Sequence, residues 1–354
     1  MGAVGSFANQ VQTMSRGEPN RLAALTRLRA LLIGWVVLYH LELTLGALRG
    51  LPFAEQVASK GYLGVDGFFV LSGFALYLGY RHRPPLGVAG WAAFVRRRAI
   101  RIVPLHLAAL LLLVLLVGGA ALAGLRINDP QRFGAWEFAM QAMLLHAWET
   151  TRVHAWNYPS WALSAIWAGY LLFPLLLVMM LDRGRAACWL VGLACLAGLA
   201  WMALDPAQLN RTLHLGLLRF GLEFVLGIAT ARLVTLRAIG RGAAVATILL
   251  PLGVALSLDV AAVAGLAAMI AWLGARRSDD RAPRDLAWRL GEASFGVYLS
   301  WVFVEATLVV ALRVIEAGPG LRMAMMAAGL VVTFGLGWLA WRFVEVPAAR
   351  RLTP

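Results

Sequence analysis

The chain is 354 residues long, 61% hydrophobic and 14% charged, with a mean hydropathy of +0.74; a soluble domain carries about a quarter charged residues. The net charge of +14 would suit nucleic acid, but the basic residues lie between apolar runs rather than across one surface. That distribution excludes a nucleic-acid binder and indicates an all-α integral membrane protein in a lipid bilayer. Cys188 and Cys195 sit seven residues apart in one apolar stretch, so neither a disulfide framework nor a thiolate metal site is expected. The six histidines show no ligand spacing, and no metal is expected. Lys60 is the only lysine among 32 basic residues, and with abundant Ala, Gly and Leu this composition suits a high-GC bacterial gene.

Residues 1–24 form a polar tail without the apolar core of a cleaved signal peptide. Ten apolar segments then follow, each a candidate span: 29–48, 62–80, 102–124, 160–181, 186–204, 212–234, 242–258, 260–275, 294–315 and 321–343. The seventh and eighth are short and nearly fused at Ser257-Leu258-Asp259. Residues 126–159 are the longest exterior loop, rich in Trp, His and Asn, with an interfacial helix expected over 135–148. With the N-terminus inside, interior segments hold 23 basic residues and exterior segments eight, and Arg219 lies within a span. The bias places both termini in the cytoplasm, with one membrane domain over 25–347 and a short tail over 348–354.

Four stretches carry candidate chemistry. In the first segment Arg29 and His40 are eleven residues apart, almost three whole turns, so they share a face about 16 Å apart along the axis. Arg29 then sits at the membrane surface and His40 near the midplane, where an ionisable group is a functional candidate; a positive-inside arginine and a packing histidine are the plainer reading. In the second, Asp66 enters the bilayer about a turn deep within Gly64-Val65-Asp66-Gly67-Phe68-Phe69-Val70-Leu71-Ser72-Gly73-Phe74. An unpaired carboxylate there is costly, and His40 is a partner it could reach. In the third, Arg98 and Arg101 share a helix face just before Pro104, which suits a helix start or break. Guanidinium forks bind phosphate well, although positive-inside anchoring accounts for the same residues. The fourth is Tyr158-Pro159-Ser160-Trp161-Ala162-Leu163-Ser164, where an aromatic belt after a proline turn competes with a site role.

Together these stretches resemble acyltransferase family 3, a family of integral-membrane acyltransferases. The family's Arg-x10-His is matched by Arg29 and His40, its Gly-Val-Asp-x-Phe-Phe-Val-Leu-Ser-Gly-Phe by Gly64 to Phe74, and its Arg-x-x-Arg-Ile-x-Pro by Arg98 to Pro104. Trp161 and Leu163, Phe224 and Gly227, Leu290, Gly291, Ser294, Phe295, Tyr298 and Leu299, and finally Glu345 and Pro347 match the later motifs. The chain departs from the pattern at Thr26-Arg27, where Asp-Gly is common, at Ile166, where many members carry Glu, and at Trp301, where many carry His.

The resemblance implies transfer of an acyl group, commonly acetyl, from acyl-CoA (acetyl-CoA) to a hydroxyl of a carbohydrate, glycolipid or small-molecule glycoside by a multi-pass protein of the inner (plasma) membrane. It assigns Arg98 and Arg101 to the donor's phosphates, with Arg29 at the same entrance and Trp161 and Tyr298 in substrate binding. His40 would be the general base or a covalent acyl carrier, and Asp66 the carboxylate that orients it. Two other classes fit less well. A transporter or flippase could use Arg29, His40 and Asp66 as a relay, but no interrupted helix pair recurs in matching halves. A degenerate, silent member would explain Ile166 and Trp301, but not the retention of Arg29, His40, Arg98 and Arg101.

Overall fold

A computed structural model describes residues 21–124, 129–276 and 285–352. The expected polar tail lies almost wholly outside these residues. Every regular element among the described residues is helical. The α-helices in chain order are α1 (Arg21–Leu45), α2 (Pro52–Ser59), α3 (Leu63–Tyr80), α4 (Gly87–Leu122), α5 (Ala135–Ala142), α6 (Trp161–Leu181), α7 (Arg185–Met202) and α8 (Gly216–Thr235). These are followed by α9 (Gly242–Ala246), α10 (Leu249–Ala255), α11 (Asp259–Ala275), α12 (Leu286–Glu292), α13 (Ser294–Val314), α14 (Pro319–Ala340) and α15 (Val346–Leu352).

Helix α1 is the hub. It packs on α2, α3, α11, α12, α13 and α14, and it can do so because apolar residues recur all round it rather than on one stripe. Its Ile33, Val36, Val37 and Leu45 are fully buried. The most extensive helix–helix packing joins α3 to α8. There a side chain at Gly73 would strike the backbone carbonyl of Phe224, and one at Gly227 would strike that of Val70. The Leu-Ser-Gly-Phe stretch and the Phe-x-x-Gly stretch are therefore two halves of one contact, made by small residues that let backbones approach.

Seven described helices are long and apolar enough to cross a membrane, which makes the chain a multi-pass membrane protein. The segments expected at 29–48, 62–80, 102–124, 160–181, 186–204, 294–315 and 321–343 overlap them, with ends that differ by up to several residues. The other three expected spans take different forms. Helix α8 carries Arg219, Glu223 and Arg232, so its composition is too charged for the same criterion. Helix α11 is one residue short at 17, and α9 and α10 are a broken pair over Gly242–Ala255.

Two local expectations are corrected. Pro104 neither starts nor breaks a helix: α4 runs 36 residues from Gly87 straight through it. That is about 54 Å, well beyond a hydrocarbon core of about 30 Å, so Arg96 to Arg101 lie on a helical extension. A proline costs one backbone bond, which neighbouring helices in a membrane bundle can tolerate. The loop helix is α5, over 135–142 rather than 135–148, because Leu144 adopts a left-handed backbone (φ 58°) that no α-helix continues through.

Candidate functional site

His40 lies on α1, half-buried, against α13. Its imidazole stacks on the indole of Trp301, with ring centres 3.6 Å apart and planes 17° apart. Tyr158 stands edge-on to both rings and brings its hydroxyl to 3.5 Å from His40 Nδ1. The same hydroxyl donates to Glu305 Oε2 at 3.1 Å, and Thr44 Oγ1 donates to Glu305 Oε1 at 3.1 Å. Contacts Arg29–Ser294, His40–Trp301 and Thr44–Glu305 ascend both helices in the same order, so α1 and α13 run parallel. Thr44 and Glu305 each sit one turn above the stacked pair and share its face.

Asp66 does not orient His40, contrary to the expectation. It is fully buried, and both its oxygens are taken by Arg219: Nε donates to Oδ1 at 2.8 Å, and Nη2 donates to Oδ2. Glu223, one turn along α8, approaches the same guanidinium at 3.7 Å. Trp161 lies beneath Arg219, its ring 5.6 Å from the guanidinium carbon, and is itself buried. A carboxylate at this depth is costly unless paired, and a fork supplied by α8 meets that need better than a single imidazole. Trp161 thus belongs with the ion pair rather than with His40.

Residues 158–161 join the two clusters. Tyr158 faces His40, the Pro159 carbonyl accepts from Tyr298 Oη, Ser160 meets His146 Nε2 at 3.0 Å, and Trp161 supports Arg219. Tyr298, expected in substrate binding, so fastens α13 to this turn. In the loop between α4 and α6, burial and the nearby His106 push the His146 pKa down to about 3, leaving it a neutral hydrogen-bond partner and a poor base. Burial, then Arg132, also lowers His154.

The arginines converge at the other end of α1. Arg29 Nη2 donates to Ser294 Oγ at 2.9 Å, and Nη1 lies 3.6 Å from Glu292. Arg29 is also within electrostatic reach of Arg101, Glu345 and Tyr170. Arg98 donates to Tyr80 Oη at 3.1 Å and packs over the rings of Phe94, Tyr80 and Tyr170 at 5.6 to 5.9 Å. Its Nε is buried without a hydrogen-bond partner, while Arg101 is exposed. The two arginines therefore differ: Arg98 is held in an aromatic cage and Arg101 is open to solvent or ligand. About 16 Å along α1 separates this cluster from His40.

Several site residues escape a reading of the sequence. Glu305 and Thr44 carry no motif, but a carboxylate inside an apolar helix, one turn from Trp301, is a signal in itself. Arg219 is the same kind of signal in α8. Glu292 lies at a variable position inside the Leu290-to-Ser294 motif and becomes visible only when α12 folds against α1.

Comparison with known proteins gives the family. Residues 22–342 match the family model of the acyltransferase domain Acyl_transf_3. The acyltransferase MdmB of Streptomyces mycarofaciens is 32% identical over 123 residues, which is 34% of this chain and 29% of that protein. The aligned part is thus under a third of that relative's length. No solved structure matches. With the motif residues of α1, α3, α4, α8 and α13 gathered into these clusters, and the family model spanning nearly the whole membrane bundle, the chain belongs to the family 3 acyltransferases.

Proposed function

We propose that the protein moves an acyl group, acetyl in the simplest case, from acyl-CoA to a hydroxyl of a glycan, glycolipid or small-molecule glycoside. The observation that carries this reading is the single line from the arginine cluster to His40 along α1. An acyl-CoA is anionic at its nucleotide end and reactive at a thioester a pantetheine arm away. Arg101, Arg98 and Arg29 suit the phosphates, and His40 suits the acceptor hydroxyl, where it takes the proton as oxygen attacks the thioester carbon. The ester C–O bond forms, the C–S bond breaks, and the thiolate leaves with the proton from His40. Both termini are assigned to the cytoplasm of the inner membrane, which puts the arginines on the side where acyl-CoA is made.

The test is acyl-CoA consumption by purified protein in lipid nanodiscs, with mass spectrometry of surface glycans and secreted glycosides with and without the gene to find the acceptor. His40→Ala is expected to lower transfer at least about 100-fold while donor binding persists. Replacing both Arg98 and Arg101 with Lys is expected to weaken donor binding, since charge is kept but the fork is lost. Normal donor binding in that variant would reduce the arginines to membrane anchoring. Full activity in His40→Gln, which keeps hydrogen bonding but is no base near neutral pH, would rule out the mechanism.

A further inference from the structure

We propose that Glu305, acting through Tyr158 and seated by Thr44, is the positioning carboxylate of His40, holding the imidazole with Nδ1 protonated and Nε2 free. The inference rests on the acyl-transfer reading above and assigns the orienting role that Asp66, occupied by Arg219, does not fill.

Counting protons leads to this assignment. An ionised carboxylate only accepts, and Glu305 accepts from Thr44 on one oxygen and from Tyr158 on the other. Tyr158 has a single hydroxyl proton, and it is committed to Glu305. Towards His40 its oxygen therefore presents a lone pair, so the proton at that 3.5 Å contact must sit on Nδ1. The neutral ring then carries its lone pair on Nε2, the form a general base requires. Trp301 fixes the plane of the ring by stacking, and Tyr39 closes it edge-on at 4.9 Å.

Two donors, Thr44 and Tyr158, and the nearby Arg132 favour the ionised form of Glu305 against the cost of its burial, and the assignment takes it as the anion of the group. Arg132 lies over Tyr158 at 5.8 Å and within electrostatic reach of Glu305, His154 is 6.0 Å from Tyr158 ring to ring, and Tyr298 is in reach of Tyr158. During transfer the acceptor's hydroxyl proton goes to Nε2, and the imidazolium keeps Nδ1–H directed at Tyr158. Glu305 stabilises that positive charge through the phenol without taking the proton, which returns from Nε2 to the departing thiolate. This is the arrangement of a base oriented by a third group, with a phenol interposed.

The experiment uses the full chain in nanodiscs with isotope-labelled histidine, the His40 signal being identified by its loss in His40→Gln. Glu305→Gln and Tyr158→Phe are each expected to lower the His40 titration midpoint by on the order of one pH unit, since a stabilising negative charge is removed or disconnected. The acidic limb of kcat should move to lower pH with it. Plateau kcat should fall about 10- to 100-fold and KM for the acyl-CoA donor should change less than about twofold, because only the orientation of the base is lost. The double variant should be no worse than the worse single one, as expected of two links in one chain. Glu305→Asp, which keeps the charge, should restore most of the midpoint. An unchanged midpoint in Tyr158→Phe and Glu305→Gln, or fully additive losses in the double variant, overturns the assignment. A wild-type protein that consumes no acyl-CoA overturns the acyl-transfer reading instead, because the titration is measured without substrate.

Discussion

At the scale of single residues, the buried charges divide the labour that one carboxylate was expected to perform. Asp66 belongs to a three-member cluster with Arg219 and Glu223, wholly inside the protein. Removing one member of a buried pair costs about 3–5 kcal/mol, mostly because the remaining charge is stranded. The three members are not equivalent. Arg219→Met leaves two carboxylates facing each other with no cation, whereas Asp66→Asn leaves Arg219 with Glu223. The expected order of destabilisation is Arg219→Met, then Asp66→Asn, then Glu223→Gln, read as melting temperature in detergent. If Asp66→Asn proves the worst, or if it shifts the His40 titration as Glu305→Gln does, Asp66 has a direct link to the imidazole. Trp301 takes the place where the resemblance implies a second histidine, and it stacks on His40 instead. Ile166 packs on the core and contributes no polar group.

At the scale of elements, the α3–α8 crossing sets where Asp66 and Arg219 can meet. Because Gly73 and Gly227 each lie against the other helix's backbone, there is no side chain to swing aside. Gly73→Val is expected to push the helices apart and cost about 1–3 kcal/mol or more, with a matching loss of the ion pair's geometry. Gly79→Ala is the control on the same helix: nothing lies near its position, and replacing a helical glycine gains up to about 1 kcal/mol. Equal melting temperatures for Gly73→Val and wild type would mean the crossing is not tight. Helix α4 makes a different point. Its first turns, Gly87 to Arg101, carry the arginines beyond the apolar stretch and fold them over α6, where Trp91 donates to the Leu171 carbonyl at 3.0 Å and Arg98 reaches Tyr170.

At the scale of the whole molecule, the parallel run of α1 and α13 means that the chain crosses an even number of times between the start of α1 and the start of α13. Cysteines introduced at Gln131 and at His82, in a background lacking Cys188 and Cys195, test the sidedness. A membrane-impermeant reagent is expected to label Gln131→Cys from outside and His82→Cys only after permeabilisation. The opposite pattern inverts the topology, moves the arginine cluster to the outer face and overturns the donor side proposed above.

Composition and hydropathy alone settled that this is a helical membrane protein, because long apolar runs have no soluble alternative. The first three motifs likewise pointed to the family that the match over 22–342 shows, and Arg29 and His40 could be put on one face because a helix has a fixed repeat. Local sequence could not decide the partners. Asp66 and Arg219 are separated by 153 residues, and His40 and Tyr158 by 118, so each pairing depends on which helices pack together. Spacing within one helix says which way a side chain points but not what it meets. The tertiary structure alone gave Asp66 to Arg219 and left Glu305, through Tyr158, facing His40.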